Sequence, residues 1–144
     1  MNDEEDEASA MAKHVKSAWV SKAPNREERP WGEELSWSAL PNIHGKLINI
    51  HEGCRTSLKY HLLKSEVLFV LSGHIEAEFG DERTLRDPVG HPWKKEELVS
   101  GQSLVVQSGS PYRITAIVDS TLIEIGDRHT EPRTVRLEDD YGRE

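Results

Sequence analysis

The chain holds a single cysteine, Cys54, in 144 residues. One thiol excludes an internal disulfide and a thiolate zinc cluster, and it fits a reducing compartment. Apolar residues make up only 35% of the chain and aromatic residues 6%, whereas 31% are charged. So little apolar material cannot pack every residue, so part of the chain is expected to be solvated. No apolar run approaches membrane-spanning length, and the N-terminus lacks the basic and apolar regions of a signal peptide. A basic face is missing too. The formal net charge is -8, which argues against nucleic acid as a partner. These absences lead us to expect a cytoplasmic protein that binds neither membrane nor nucleic acid.

What is present falls into two textures. Asp3 to Glu7 is an unbroken run of five acids, without which the formal charge falls from -8 to about -3. Residues 1–28 read as an acidic, flexible N-terminal extension. Within it, Met11, Val15 and Trp19 have the four-residue spacing of a short helix, but the segment is expected to be frayed and to order only against the domain or a partner subunit, and 23–28 reads as linker. Residues 29–144 read as the folded domain. Leu35–Leu40, Lys46–Ile50, Ser57–Leu62, Glu66–Leu71, His74–Phe79, Ser103–Gln107, Tyr112–Val118 and Thr121–Ile125 are short, strand-like segments separated by Gly, Pro, Ser and Asn. Ser72-Gly73 predicts a tight hairpin between two of them. Residues 81–100 are polar and read as an insertion between strands. Short strands at regular spacing predict an all-β antiparallel sandwich or barrel.

The stretch Gly53–Gly73 carries His61 and Glu66 ahead of the most apolar run, Val67–Leu71. An imidazole and a carboxylate on neighbouring strands can converge on one metal ion or one substrate. His44, His74, His91 and His129 share no ligand spacing, and surface or hydrogen-bonded roles suit them. His51 fits no motif either. Trp31 and Trp37 read as core or interface aromatics, and either can stack on a sugar ring.

The order Gly53…His61…Glu66…Gly73, then Gly101…Gly109-Ser-Pro-Tyr112, resembles the two motifs of the cupin superfamily. That resemblance implies a double-stranded β-helix, a jelly-roll barrel. It extends to Arg29-Pro-Trp-Gly32, to Arg55, Ser57, Leu58 and His61, and to the closing V-R-L-E-D-D-Y-G-R that ends at Arg143. These segments resemble the cupin domain of type II mannose-6-phosphate isomerases, often fused to mannose-1-phosphate guanylyltransferases. Two of the four metal-ligand positions are retained, as His61 and Glu66. The other two are Lys59 and Tyr112, and Leu62 and Leu63 stand where the family often carries further histidines.

The resemblance implies an isomerase acting on a sugar phosphate or nucleotide sugar, with Lys59, His61, Glu66 and Tyr112 as catalytic residues. A divalent metal (zinc, manganese or iron) would sit on His61 and Glu66, with Tyr112 as a further ligand. Because Lys and Tyr ligate well only after losing protons with pKa values near about 10, a metal-free site is the other possibility. In it, Glu66 or His61 is the base, Lys59 supplies the charge beside an enediolate, and Tyr112 passes protons. Arg55, Arg113 and Arg143 are the candidate phosphate partners. The competing expectation is a non-catalytic cupin, a ligand-binding or structural subunit in which Lys59 and Glu66 form an internal ion pair. A homodimer through the outer sheet suits either.

Overall fold

The computed structural model describes residues 15–37, 40, 42–127 and 133–143. Eleven strands form among them: β1 (Asn25–Arg29), β2 (Gly32–Ser36), β3 (His44–Ile50), β4 (Leu58–His61), β5 (Glu66–Ser72), β6 (His74–Phe79), β7 (Lys94–Val99), β8 (Ser103–Val106), β9 (Tyr112–Ala116), β10 (Ser120–Gly126) and β11 (Thr134–Glu138). They build one sheet of order β1-β2-β3-β10-β5-β8 and a second of order β11-β4-β9-β6-β7, with every pairing antiparallel. This is the all-β antiparallel architecture expected from the strand spacing, in the jelly-roll form that the cupin resemblance implied. The described residues contain no helix, and so none long and apolar enough to cross a membrane.

Alternation along the strands decides what fills the space between the sheets. Leu68 and Val70 on β5, Ile48 and Ile50 on β3, Leu122 on β10, and Ile75, Ala77, Ile114 and Ala116 on the facing sheet are all buried. Their even spacing keeps one side of each strand on the core. Two glycines are fixed by geometry. A Cβ at Gly32 (φ +155°) would lie 1.9 Å from the Asn49 carbonyl oxygen, where β2 closes on β3. A Cβ at Gly73 (φ +100°) would meet the Ser120 hydroxyl at 2.3 Å.

Three local expectations change. Ser72-Gly73 is no hairpin: β5 and β6 belong to different sheets, and Gly73 is the corner between them. The Ser120 hydroxyl holds that corner by accepting the His74 N–H at 3.1 Å and facing its carbonyl at 3.2 Å. Asn25–Arg29, read as linker and domain edge, is a strand paired in full with β2. The second half of the 81–100 insertion is β7, which pairs with β6 from Phe79↔Lys94 to His74↔Val99. Its Lys-Lys-Glu-Glu sequence suits an edge, where charge discourages pairing with further strands. The Met11–Val20 segment lies partly outside the described residues, and residues 15–20 carry no regular structure.

Candidate functional site

One end of the barrel interior is charged. On β3, Lys46 is in phase with the buried Ile48 and Ile50; on β10, Glu124 is in phase with Leu122; on β5, Glu66 is in phase with Leu68 and Val70. The same alternation that buries the apolar residues therefore turns these charges inward. From the other sheet, Lys59 and His61 on β4 face Arg136 and Thr134 across the β4–β11 pairing, and Lys59 is also in register with Tyr112 on β9.

Glu66 is the hub. Its Oε1 accepts a short hydrogen bond from the Tyr112 hydroxyl and lies 3.3 Å from His61 Nε2, while its Oε2 is 3.1 Å from Lys64 Nζ. Burial alone would raise the pKa of Glu66. The hydrogen bond to His61 and the Lys64 ammonium outweigh it and hold the carboxyl well below its ordinary value. Tyr112 moves the other way: burial and then the Glu66 charge push its hydroxyl well above 10, so it stays protonated. Glu124 accepts from His44 Nε2 at 2.6 Å if that nitrogen carries the proton, and Lys46 and Lys64 each stand 3.7 Å from it. Glu34 takes Lys46 at 3.2 Å and Arg29 at 3.1 Å. His61 Nδ1 is hydrogen-bonded to the Thr134 hydroxyl at 2.7 Å.

Above this network opens a cavity of about 340 Å³, lined by six Lys and Arg side chains (Arg29, Lys46, Lys59, Lys64, Arg136 and Arg143) together with Trp31, His44, His61 and Thr134. Glu34 is the carboxylate among its described lining residues. A smaller space of about 70 Å³ continues below it past Lys59, His61, Lys64, Tyr112 and Glu124. A larger recess of about 550 Å³ lies elsewhere, between the 80–94 loop and the β8–β9 turn. It is lined by loop residues together with Phe79, Lys94, Val105 and Val106 from the strands, and gathers no comparable set of buried charges.

The structure therefore brings Lys59, His61, Glu66 and Tyr112 together, but in unequal positions. Lys59 and His61 border both cavities, Tyr112 borders the deeper one, and Glu66, with a fully buried side chain, lines neither. The expected Lys59–Glu66 ion pair is absent. Lys64 takes that place, and Lys59 Nζ lies instead over the Tyr112 ring, 4.7 Å from its centre.

Of the three arginines, Arg143 reaches the cavity rim, but Asp139 holds its guanidinium at 2.8 and 3.1 Å. The guanidinium in turn lowers the Asp139 carboxyl to about 2. Arg55 grips Asp140, with one contact at 2.7 Å. Arg113 is buried and donates to the Thr56 carbonyl at 2.9 Å and to Glu138 at 3.3 Å. Arg55 and Arg113 thus fasten the C-terminal segment to the barrel, which gives the two distant motifs a shared structural reason. Leu62 and Leu63 are exposed and leave the interior unchanged. His44 is buried on Glu124, while His129 lies outside the described residues. Lys64, Lys46, Glu34, Glu124 and Thr134 were missed by sequence reasoning. For Lys46, Glu34 and Glu124 the signal was the strand alternation itself; Lys64 lies in a loop and offered none.

A divalent metal does not fit these donors. Both Glu66 oxygens already face protonated donors, an ammonium sits on one of them, and the Tyr112 proton is held more tightly than in water. No group of three His, Cys, Asp or Glu side chains that could hold a metal occurs among the described residues. The ligand set expected on His61, Glu66 and Tyr112 is instead a hydrogen-bonded ion cluster.

Comparison with known proteins defines the fold. No protein-family model matches the chain, and no curated protein sequence does. Solved structures do match. Oxalate decarboxylase from Bacillus subtilis superposes with a TM-score of 0.68 at 16% identity, over 84% of this chain and 33% of that one. The capsular polysaccharide assembling protein CapF from Staphylococcus aureus gives 0.67 at 16%, over 83% and 35%. KdgF from Halomonas sp. gives 0.61 at 16%, over 74% and 89%. The chain has the cupin fold. It spans about a third of the length of the oxalate decarboxylase and CapF chains.

Proposed function

We propose that this cupin takes a small anionic sugar derivative, a sugar phosphate or nucleotide sugar, into the charged mouth of the barrel and isomerises it without a metal. The observation that carries this reading is the lining: six Lys and Arg side chains around about 340 Å³, in a chain whose net charge is -8. Arg29, Arg136 and Arg143 stand at the cavity as partners for phosphate oxygens. Lys59 borders the cavity where a carbonyl oxygen would become an enediolate and can donate a hydrogen bond to it. His61 takes the proton through Nδ1 and the Thr134 hydroxyl, and Glu66 behind Nε2 stabilises the imidazolium that results. Tyr112 keeps Glu66 ionised and oriented. The motif resemblance to mannose-6-phosphate isomerases and the likeness to a capsular polysaccharide assembling protein agree with a saccharide-derived ligand.

The test is proton NMR of hexose 6-phosphates and nucleotide sugars incubated with the protein in deuterated water containing a chelator. The expected result is deuterium entering at the carbon next to the carbonyl, and loss of that exchange in His61→Ala. Absence of exchange for every substrate, with phosphate still bound in calorimetry, would favour the second reading, a non-catalytic anion-binding cupin. That reading draws on Glu66 being sealed from the cavity and on both His61 nitrogens being engaged. Absence of both exchange and phosphate binding sinks the proposal.

A further inference from the structure

Three lysines reach the interior, and two of them are neutralised in place. Lys46 has Glu34 and Glu124, and Lys64 has Glu66 and Glu124. Among the described residues Lys59 has no such ion pair. Its Nζ lies over the Tyr112 ring, it borders both cavities, and its flanking row places the Arg136 cation beside it. An amine so placed has no carboxylate at ion-pair distance among the described residues, yet opens onto space large enough for a ligand.

We propose that Lys59 is a covalent site, whose amine adds to the aldehyde or ketone carbon of the bound ligand and forms an imine. The inference rests on the anionic-ligand reading above and deepens it: the substrate is a carbonyl compound that also carries a phosphate or carboxylate. The step balances without any further reagent. The Nζ lone pair forms a C–N bond while the C=O π pair moves to oxygen, and a proton passes from nitrogen to that oxygen. The second nitrogen proton then follows, water leaves, and the nitrogen pair closes the C=N bond. Thr134 and His61, hydrogen-bonded to each other on the cavity wall, are the groups that relay these protons. The environment favours the free amine. Burial, the largest influence, lowers the Lys59 pKa and Lys64 adds to this, against the opposing charges of Glu66, Glu124 and Glu34. Burial and neighbouring cations are how lysine is made nucleophilic near neutral pH.

The experiment uses the intact chain, glyceraldehyde 3-phosphate or neutral glyceraldehyde as probes, cyanoborohydride to trap the imine, and peptide mass mapping to locate it. We expect glyceraldehyde 3-phosphate to label Lys59 faster, by roughly tenfold or more, than the exposed Lys94 and Lys95. Inorganic phosphate should protect Lys59 and leave Lys94 unchanged, and Lys59→Arg should remove the fast label while phosphate binding persists. Fast labelling of Lys59 by both probes alike keeps the imine and overturns the anionic ligand. Phosphate binding in calorimetry with labelling confined to Lys46, Lys64 or surface lysines overturns the imine and keeps the anionic ligand. Even labelling of all lysines, with no phosphate binding, overturns both.

Discussion

The two ends of the barrel interior are built from the same strands and stabilised by different physics. Towards one end, Ile50, Val70, Ile75, Ala77, Ala116 and Leu122 pack almost without exposure. Towards the other, Glu66, Glu124, Lys46 and His44 occupy the same inward phase of the strands, joined by His61 on β4 and by Lys64 from the β4–β5 loop. Burial at the apolar end contributes through area and close packing, and every removed methylene costs. At the charged end, desolvation and attraction are both large and nearly cancel, so what counts is that each charge keeps its partner. The apolar end supplies the stability, and the charged end supplies a set of paired charges beneath the cavity.

The comparison breaks most sharply at Glu66. Glu66→Ala strands Lys64, Tyr112 and His61 in the interior, and we expect a loss of about 3–5 kcal/mol, measured by urea denaturation. Leu122→Ala at the other end should cost a similar amount, about 2–5 kcal/mol, through the cavity it leaves. The two differ in what rescues them. Glu66→Leu combined with Lys64→Met should recover most of the loss, because the pair is removed together. No second truncation next to Leu122 should do so. Failure of the double variant to recover would mean that the cluster stabilises the fold outright.

Acid should separate the ends next. The folded-state pKa values of Glu66 and Glu34 lie below their ordinary value of about 4.5; burial opposes this, but the hydrogen bond from His61 and the Lys64 charge outweigh it for Glu66, as Lys46 and Arg29 do for Glu34. Their contribution is therefore fully present above pH 4.5 or so and is lost as pH falls towards the folded values. Unfolding free energy measured between pH 7 and pH 3 should drop steeply in the native chain. In the Glu66→Leu/Lys64→Met variant it should drop less. Identical slopes would remove Glu66 from the account.

The smallest effect is expected at Arg55. Its pair with Asp140 is about 40% exposed on each side (41% and 39%), so Arg55→Ala should lower stability by about 1 kcal/mol or less. Phosphate affinity at the cavity should not change. A clear loss of phosphate binding in calorimetry would return Arg55 to the substrate-binding role that the motif resemblance gave it.

Much of this was legible beforehand. The strand alternation placed most strands, and His61, Glu66, Lys59 and Tyr112 do stand together at one end of the barrel. Three things were not legible. Gly73 looked like a hairpin turn because a corner between sheets uses the same Ser-Gly chemistry. Lys94–Val99 looked like loop because an edge strand is as polar as one. Arg55 and Arg113 looked like phosphate binders because an arginine that clasps Asp140 or Glu138 has the same fork that binds phosphate.

By itself, the sequence determined the period-two strands and the glycine turns between them, because these depend on residues adjacent in the chain. Tertiary structure decided which charges meet. Glu66 and Tyr112 are 46 positions apart, His61 and Thr134 are 73, and His44 and Glu124 are 80. Those pairings depend on which strands become neighbours. That order put Lys64 on Glu66, sealed the carboxylate from the cavity, and left Lys59 facing the open space with no ion pair among the described residues.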